Sequence, residues 1–531
     1  MRREGRVPVD PDVMKVLLAN APTRVPVNGP KGSRELFYVK AGSRWPFSIE
    51  KRIPEGCRYV PFPFSLAYLA ALLERESIPV DVLDAVALNL PEDEFVARSA
   101  ASAPSLIVME ATTPTIEHDL ALSARLKEAT GATIALTGAH TTVFPRETLR
   151  STRSVDWILT GEYEMNALEA IRAEAAGGPK REERLAAVRG LVRAVDTGGD
   201  AERRIVEGRP GLPIQDLDAL PFPARHLFPT PEAPSMWSYW DGFCQRRPAV
   251  QMHASRGCPY KCTFCLWISV IYDQGPYRTF SAKRIVDEME EIIRRYGARE
   301  IYFDDDIFTV KEDHVVGLSE EILRRKVKIA WSVMGDAMAV TERSVEAMAK
   351  AGCIGMKFGV ESADPEVLKK LRKPIKIEKV RKVVDWCASR GIKTHATITF
   401  GLEADTPETM QRTLDFCCSL PADSIQFSTT TPFPGTEHYR NAKAAGQIDD
   451  SDWSRFDGAR SSVLTYASMS PEFVESFAMR APSVWLRARM KDPAWLVRQT
   501  KYFARVARDQ GIPGVVRRAE RGTRLLLNLA R

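Results

Sequence analysis

No stretch of this 531-residue chain approaches the run of about 18 uncharged apolar residues that a membrane-spanning helix requires. The opening Met-Arg-Arg-Glu-Gly-Arg leads into no apolar signal-like segment, so a cytoplasmic location is expected. Cysteine is scarce: nine in the chain, too few and too unevenly placed for a disulfide scaffold, which points to a reducing compartment. Net charge is small, +6 overall, and gives no case for nucleic acid as a partner. Short repeats and low-complexity tracts are missing. Nor does Gly-x-Gly-x-x-Gly follow the first apolar run, where Asn20-Ala21-Pro22-Thr23-Arg24 stands instead, so NAD is not expected. What is present is 44% hydrophobic and 27% charged residues, the composition of a folded globular chain long enough for two or three domains.

From Met14 to about Ala175, short apolar runs alternate with helical patterns. Strands are expected at Lys15–Ala19, Val80–Leu83, Leu106–Met109, Thr133–Leu136 and Trp157–Leu159, with helices at Ser65–Glu76 and His118–Ala129 between them. Such a series folds as a Rossmann-like, doubly wound α/β domain, whose ligands bind beyond the carboxyl ends of the strands. Residues 176–248 lose the rhythm and gather Gly, Arg and Pro, as in an ordered connector. A second α/β series follows, with strands expected at Ala249–Ala254, Glu300–Phe303, Lys328–Val333, Ile354–Val360, Lys393–Phe400 and Ser424–Ser428. Ser281, Asp313, Thr341 and Thr406 are expected to cap helices, and Gly297, Gly352 and Gly391 to stop them. Six such units suggest a partial (β/α)6 relative of the TIM barrel. The domains are therefore drawn as 1–178, a connector 179–247, a barrel 248–445 and a basic helical region 446–531.

Three of the nine cysteines fall within eight positions, in Ser255-Arg256-Gly257-Cys258-Pro259-Tyr260-Lys261-Cys262-Thr263-Phe264-Cys265, directly after the first barrel strand. Soft thiolates suit iron–sulfur clusters, and three of them leave one iron of a four-iron cubane open to a ligand. Arg256 and Lys261 are placed to favour the ionised thiols. Zinc, which normally takes two Cys-x-x-Cys pairs, and buried structural cysteines are the competing readings. Cys57, Cys244, Cys353, Cys387, Cys417 and Cys418 read as packing residues, with a redox role left open for Cys57 and Cys244.

Cys-x-x-x-Cys-x-x-Cys with an aromatic before the last cysteine resembles the signature of the radical S-adenosylmethionine (SAM) superfamily, and residues 250–440 resemble its partial barrel. The resemblance implies a [4Fe-4S] cluster on Cys258, Cys262 and Cys265, with Phe264 beside the bound SAM. It also implies SAM contacts from Phe303, Asp304 and Asp306 at the second strand end, Glu361 and Ser362 at the fourth, and Gly401 at the fifth. Helix capping or Mg²⁺ binding by Asp304–Asp306, and a barrel salt bridge for Glu361, are the plainer alternatives. A Rossmann-like domain ahead of this barrel, joined through Leu220-Pro221-Phe222-Pro223, resembles the cobalamin-binding subclass. Thr112, Thr113, Gly138, Thr141 and Gly161 would then run under the corrin, with His140 and Glu162 meeting its amides or tail. The Asp-x-His-x-x-Gly motif of the methionine synthase type is absent, so hydrogen bonding from behind the cofactor's contacts, or packing in the core, suits His140 better than axial ligation.

The resemblance implies that a 5′-deoxyadenosyl radical abstracts hydrogen from an unactivated carbon, which then accepts a methyl group from methylcobalamin, with a flavodoxin or ferredoxin-type donor supplying electrons. Rearrangement, cyclisation or carbon coupling without methyl transfer is the alternative, and an iron–sulfur binding or assembly module is the non-enzymatic one. The substrate is expected to be a small molecule or lipid-like, on the strength of Tyr59-Val60-Pro61-Phe62-Pro63-Phe64 and of a basic tail. That tail, with Arg487, Arg489, Arg498, Arg505, Arg517 and Arg524 interleaved with Trp485, Trp495, Phe503 and Leu525-Leu526-Leu527, reads either as a helical cap on the barrel or as a peripheral membrane contact.

Overall fold

The computed structural model describes residues 14–22, 24–29, 32–38, 48–50, 60–195, 203–228, 236, 238–239 and 241–527. The chain divides into two compact units, the first being Met1–Pro46, Val60–Ser238 and Leu266–Gly275, the second the remainder.

The first unit contains β1 (Val16–Asn20), an antiparallel hairpin of β2 (Arg24–Gly29) and β3 (Gly32–Tyr38), and, beyond the short β4 (Ser48–Glu50) of the second unit, β5 (Val80–Asp84), β6 (Leu106–Glu110), β7 (Thr133–Thr137), β8 (Trp157–Leu159), β9 (Leu191–Val195) and β10 (Arg204–Glu207). Its main sheet runs β10-β9-β8-β7-β6-β1-β5. β5, β1, β6, β7 and β8 are parallel, with Val16 opposite both Val80 and Leu106. All five residues of β1 are buried, the signature of a strand covered by helices on both faces. Each fully buried Leu there contributes about 2 kcal/mol of transfer free energy. The helix Phe64–Arg75 turns seven apolar residues plus Tyr68 and Phe64 inward, and Ile116–Thr130 ends at Gly131 in the left-handed conformation.

Two sequence expectations are corrected in this unit. The stretch read as connector supplies β9 and β10, which extend the sheet antiparallel beyond β8; their short, charge-interrupted runs hid them. The aromatic stretch read as substrate-facing is core: Val60, Phe62 and Phe64 are buried, and the Phe62 ring meets Phe64 and Phe228 at 5.2 and 5.1 Å. Tyr59 and Cys57 lie outside the described residues.

The second unit is a six-stranded, wholly parallel sheet in the order β11 (Ala249–Met252), β14 (Glu300–Phe303), β15 (Ala330–Gly335), β16 (Cys353–Glu361), β17 (Lys393–Phe400) and β18 (Ser424–Thr429), with a two-stranded ribbon of β12 (Ser255–Arg256) and β13 (Arg278–Thr279) beside it. Ser281 caps the helix Ala282–Tyr296, and Thr341 and Thr406 open helices with reciprocal capping boxes. Asp313 is not a cap: Lys311 holds that position and Asp313 lies in the first turn. The helix Pro471–Arg489 packs Phe477 against Phe400 of β17 at 4.9 Å.

The basic tail is a cap on this unit. Trp485 and Trp495 are buried edge to face at 6.1 Å, Trp495 Nε1 donates to the Asp423 carbonyl at 3.3 Å, and Arg498 reaches Asp423 Oδ1 at 3.1 Å and the Pro421 carbonyl at 2.9 Å. Arg489 donates to the Cys418 carbonyl. The two tryptophans counted towards a membrane surface are thus spent on packing. The side chains of Leu525-Leu526-Leu527, Arg517 and Arg524 lie outside those described. Among the described residues, no helix is long and apolar enough to cross a membrane.

Candidate cofactor-binding site

In the second unit the site begins where β12 ends. Gly257 turns the chain at φ +89°, and a Cβ there would stand 2.7 Å from the Pro276 carbonyl oxygen, so only glycine fits. Two carboxylates fix this entry. Asp305 accepts from Ala254 N–H at 2.8 Å and from the Ser255 hydroxyl at 2.6 Å, while Asp306 accepts from Gly257 N–H at 2.8 Å. Cys258, Cys262 and Cys265 follow, partly exposed and outside any disulfide. Their loop is tied down from behind: Thr263 N–H donates to the Leu371 carbonyl at 3.0 Å, His438 N–H donates to the Thr263 carbonyl at 3.0 Å, and Cys262 Sγ lies 3.9 Å from the Arg372 carbonyl oxygen.

A buried ionic group flanks the loop. Glu361, at the carboxyl end of β16, takes the left-handed conformation at φ +68° and offers Oε1 to Lys373 Nζ at 3.1 Å and Oε2 to the Thr399 hydroxyl at 2.8 Å. Gly359 leaves the room for this pair, since a Cβ there would lie 2.3 Å from Glu361 Oε1. Burial alone would lower the Lys373 ammonium, but the charges of Glu361, Cys262 and Asp336 outweigh it and hold it raised. Burial pushes the Cys262 thiol up to about 12 against the opposing pull of Lys373, and Cys258 is likewise raised, first by burial. The cation facing the thiols is therefore Lys373; Lys261 is exposed.

In the first unit, Gly138 has φ +115° at the end of β7, and a Cβ there would stand 2.2 Å from the Ala111 carbonyl oxygen. The Thr142 hydroxyl bridges the Gly138 carbonyl at 2.7 Å and Gly161 N–H at 3.0 Å, joining the ends of β7 and β8. Thr113 and Thr141 are buried, and Thr112 Oγ1 lies 3.0 Å from Thr115 Oγ1. Burial lowers His140 to about 4, keeping its imidazole neutral against Phe144 at 5.2 Å. The chain leaving Cys265 joins this unit as a single wide helical turn, Trp267–Ile271, whose Ile271 carbonyl oxygen would meet a Cβ on Gly161 at 3.3 Å.

Two family models match this chain: the B12 binding domain over residues 57–171 and the radical SAM superfamily over residues 252–417. The chain belongs to the cobalamin-binding radical SAM family. It is similar to an uncharacterized methyltransferase of Pyrococcus horikoshii, 28% identical over 74% of this chain and 81% of the relative. It is also similar to the anaerobic magnesium-protoporphyrin IX monomethyl ester cyclase of Rubrivivax gelatinosus, 25% identical over 71% of this chain and 66% of the relative. Its fold matches that of the radical SAM methyltransferase TsrM from Kitasatospora setae, solved with cobalamin and a [4Fe-4S] cluster, at a TM-score of 0.64 and 18% identity over 91% of this chain and 89% of that one.

The cofactors of this family are a [4Fe-4S] cluster, SAM and cobalamin, and the donor sets fit them. Among the described residues no three His, Cys, Asp or Glu side chains converge as ligands of a single metal ion. Three thiolates that each take a different iron of a cubane need not converge, whereas a zinc site would require it. In the first unit the close approach of β6 and β7 at Gly138 and the small residues Thr112, Thr113, Thr141 and Gly161 at the strand ends suit a flat macrocycle.

Several SAM candidates also make contacts within the protein. Phe303 is core, 5.1 Å from Phe308 and 5.7 Å from Trp331. The Ser362 hydroxyl is buried against Thr413 and accepts from Asp364 N–H at 3.1 Å. Gly401 is roofed by Val474, 2.7 Å from where its Cβ would stand, and by Tyr466, whose hydroxyl donates to the Gly401 carbonyl at 3.0 Å. Asp306 holds the loop backbone, and Asp304 and Phe264 are buried near it. On the cobalamin side, Glu162 accepts from Ile214 N–H at 2.8 Å and Gly161 is demanded by the neighbouring backbone. Cys244 is a fully buried thiol raised by that burial, which rules against a reactive role. Lys373, Thr399 and Asp336 were missed, although the spacing of Lys373 from Glu361 carried no periodic signal.

Proposed function

We propose that the chain is a cobalamin-dependent radical SAM C-methyltransferase acting on an unactivated carbon of a small molecule. The observation that carries this reading is the coexistence, in one chain, of an open three-thiol loop and a cobalamin-type domain, supported by relatives named as methyltransferases. When bound, the cluster supplies the electron that cleaves SAM homolytically and the corrin supplies the methyl group. The chain's own residues bind and orient. Cys258, Cys262 and Cys265 would hold the cluster, Asp305 and Asp306 set the height of the loop, and the Glu361 carboxylate, pinned by Lys373 and Thr399, would accept hydrogen bonds from the sugar or amino group of SAM. Thr112, Thr113, Gly138, His140, Thr141, Gly161 and Glu162 would line or support the corrin, His140 as a neutral donor or acceptor. The domain assignment that goes with this reading is cobalamin binding up to residue 238, the barrel over 248–445 and a helical cap beyond it.

The cyclase relative keeps a second reading open, radical cyclisation without methyl transfer. The two are separated by turnover with methyl-deuterated SAM: label in the product is the expected result, and unlabelled product with 5′-deoxyadenosine released would establish the second. Absence of 5′-deoxyadenosine after anaerobic reconstitution and reduction would refute both.

A further inference from the structure

One face of the second unit's sheet is polar where sheets of this kind are ordinarily apolar. Along β16 and β17 alternate residues are fully buried: Met356 and Phe358 on the one, Ala396, Ile398 and Phe400 on the other. The residues between them, Lys357, Gly359, His395, Thr397 and Thr399, lie on the opposite face and are partly exposed. Pairing across the strands continues the pattern: Lys357 stands opposite His395 and then Ser424, Gly359 opposite Thr397 and then Gln426, and Thr399 opposite Ser428. Parallel sheets are normally covered on both faces, and the inside of a barrel of parallel strands is normally filled by Val, Ile and Leu. Neither holds for this face.

The protein itself closes the lower end. Asp241 Oδ2 takes Lys357 Nζ at 3.2 Å, and the Phe243 ring stands 5.7 Å from His395 and 6.3 Å from Tyr302. At the upper end the Thr399 hydroxyl donates to Glu361, the candidate SAM contact. Thr397 lies about 7 Å, and His395 about 13 Å, below Thr399 along the strand. Between the ends, His395 Nδ1 is 2.8 Å from Ser424 Oγ, and the Gln426 amide donates to the Ser428 hydroxyl at 3.3 Å. The Thr397 hydroxyl has no hydrogen-bond partner among the described residues.

We propose that the substrate of this site is a water-soluble molecule carrying several oxygen functions, hydroxyl, carboxylate or amide, and not a hydrocarbon lipid. The proposal rests on the methyltransferase reading and names its substrate class. An apolar chain lying along this face would take water from Lys357, Thr397 and Gln426 and return no partner, and a polar group buried without a partner bears its whole desolvation penalty. A molecule with oxygen acceptors returns what the water supplied. Acceptors are called for because donors outnumber carboxylates here: the Lys357 ammonium, the Thr397 hydroxyl and the Gln426 amide face only Asp241, which already accepts from Lys357 and, at 2.7 Å, from Phe243 N–H. Phe243 and Met334, the residue opposite Lys357 on β15, supply apolar surface for the carbon skeleton between those functions. A site so built rejects an analogue that lacks the oxygen functions, because its own groups are then left unpaired.

The test uses the full-length reconstituted enzyme, methyl-deuterated SAM, and a small-molecule extract of the cells that produce the protein, divided by chloroform–water partition. The deuterated methyl group is expected in a product of the aqueous fraction. Thr397→Val/Gln426→Leu should need about tenfold more of that fraction for half-maximal labelling. Gln411→Leu/Thr500→Val, the same exchanges at exposed helix positions, should need no more than the unmodified enzyme. Equal cluster iron in the two variants shows that both barrels are folded. Label in a product of the chloroform fraction, or an equal requirement in the two folded variants, would overturn the polar substrate class while leaving methyl transfer intact. Label in neither fraction, with 5′-deoxyadenosine released, would instead refute methyl transfer and the proposal with it.

Discussion

Replacing Lys373 by Met removes the only ammonium that the Glu361 carboxylate pairs with in the described structure, leaving the Thr399 hydroxyl as its donor. Glu361 is 8% exposed, so water restores little of what is lost. Breaking one side of a buried pair costs about 3–5 kcal/mol. Glu361→Leu leaves the Lys373 ammonium with Asp336 nearby, so about 2 kcal/mol is the expected cost. Glu361→Leu with Lys373→Met replaces both groups by apolar ones and should be nearly neutral. The cycle therefore predicts a coupling of about 5–7 kcal/mol, read from chemical unfolding of the cofactor-free chain with the transition of the barrel unit followed separately. The double variant, being folded, also isolates function: its affinity for SAM, by calorimetry on the reconstituted enzyme, should be reduced at least tenfold. Coupling below about 0.5 kcal/mol would refute the buried-pair reasoning. Undiminished SAM affinity in the stable double variant would refute the role given to Glu361.

Further outcomes follow from single sites. Gly138→Ala, which places a methyl group on the Ala111 carbonyl at a backbone angle that only glycine adopts readily, should cost at least about 3 kcal/mol and reduce the cobalamin retained through gel filtration, measured by absorbance. Cys258→Ala, Cys262→Ala and Cys265→Ala should each lose cluster iron after anaerobic reconstitution, whereas Cys244→Ser should keep it, as iron analysis would show. His438 is held neutral, first by burial, with a folded value of about 4 against 6.5 unfolded. Its contribution is complete above pH 6.5 and is lost as the pH falls towards 4, by up to about 3 kcal/mol. His438→Leu should flatten the fall in unfolding free energy over that window, and an unchanged slope would sink this account.

Periodicity made the two α/β series legible because each strand is a short apolar run buried on both faces, as β1 is, and because hydroxyl caps such as Thr341 and Thr406 announce helix starts. The cysteine loop was legible for a different reason: its chemistry lies in adjacent positions, and position after the first barrel strand set where it stands. The hidden parts are those whose meaning depends on a return of the chain. Asp304-Asp305-Asp306 reads as one acidic cluster, yet Asp305 holds Ala254 N–H just before β12 and Asp306 holds Gly257 N–H just after it, 51 and 49 residues away in sequence. Lys373 lies beyond a helix and a turn from Glu361, and nothing local separates it from the exposed lysines beside it.

The basic tail shows the limit of composition most directly. Arginines interleaved with tryptophans describe equally a helix on an anionic surface and a helix on a protein that offers carbonyl oxygens. What decides between them is the acceptor set, and here it is supplied by the loop before β18: the carbonyls of Cys418, Pro421 and Asp423 and the Asp423 carboxylate take Arg489, Arg498 and Trp495. Apart from the Asp423 carboxylate, those acceptors are main-chain groups left at the end of the helix Pro407–Ser419 and in the turn that follows, and every helix end leaves such groups. A sequence displays its donors by residue type but keeps its backbone acceptors unmarked, so a cationic helix can be recognised from sequence while the surface it serves cannot.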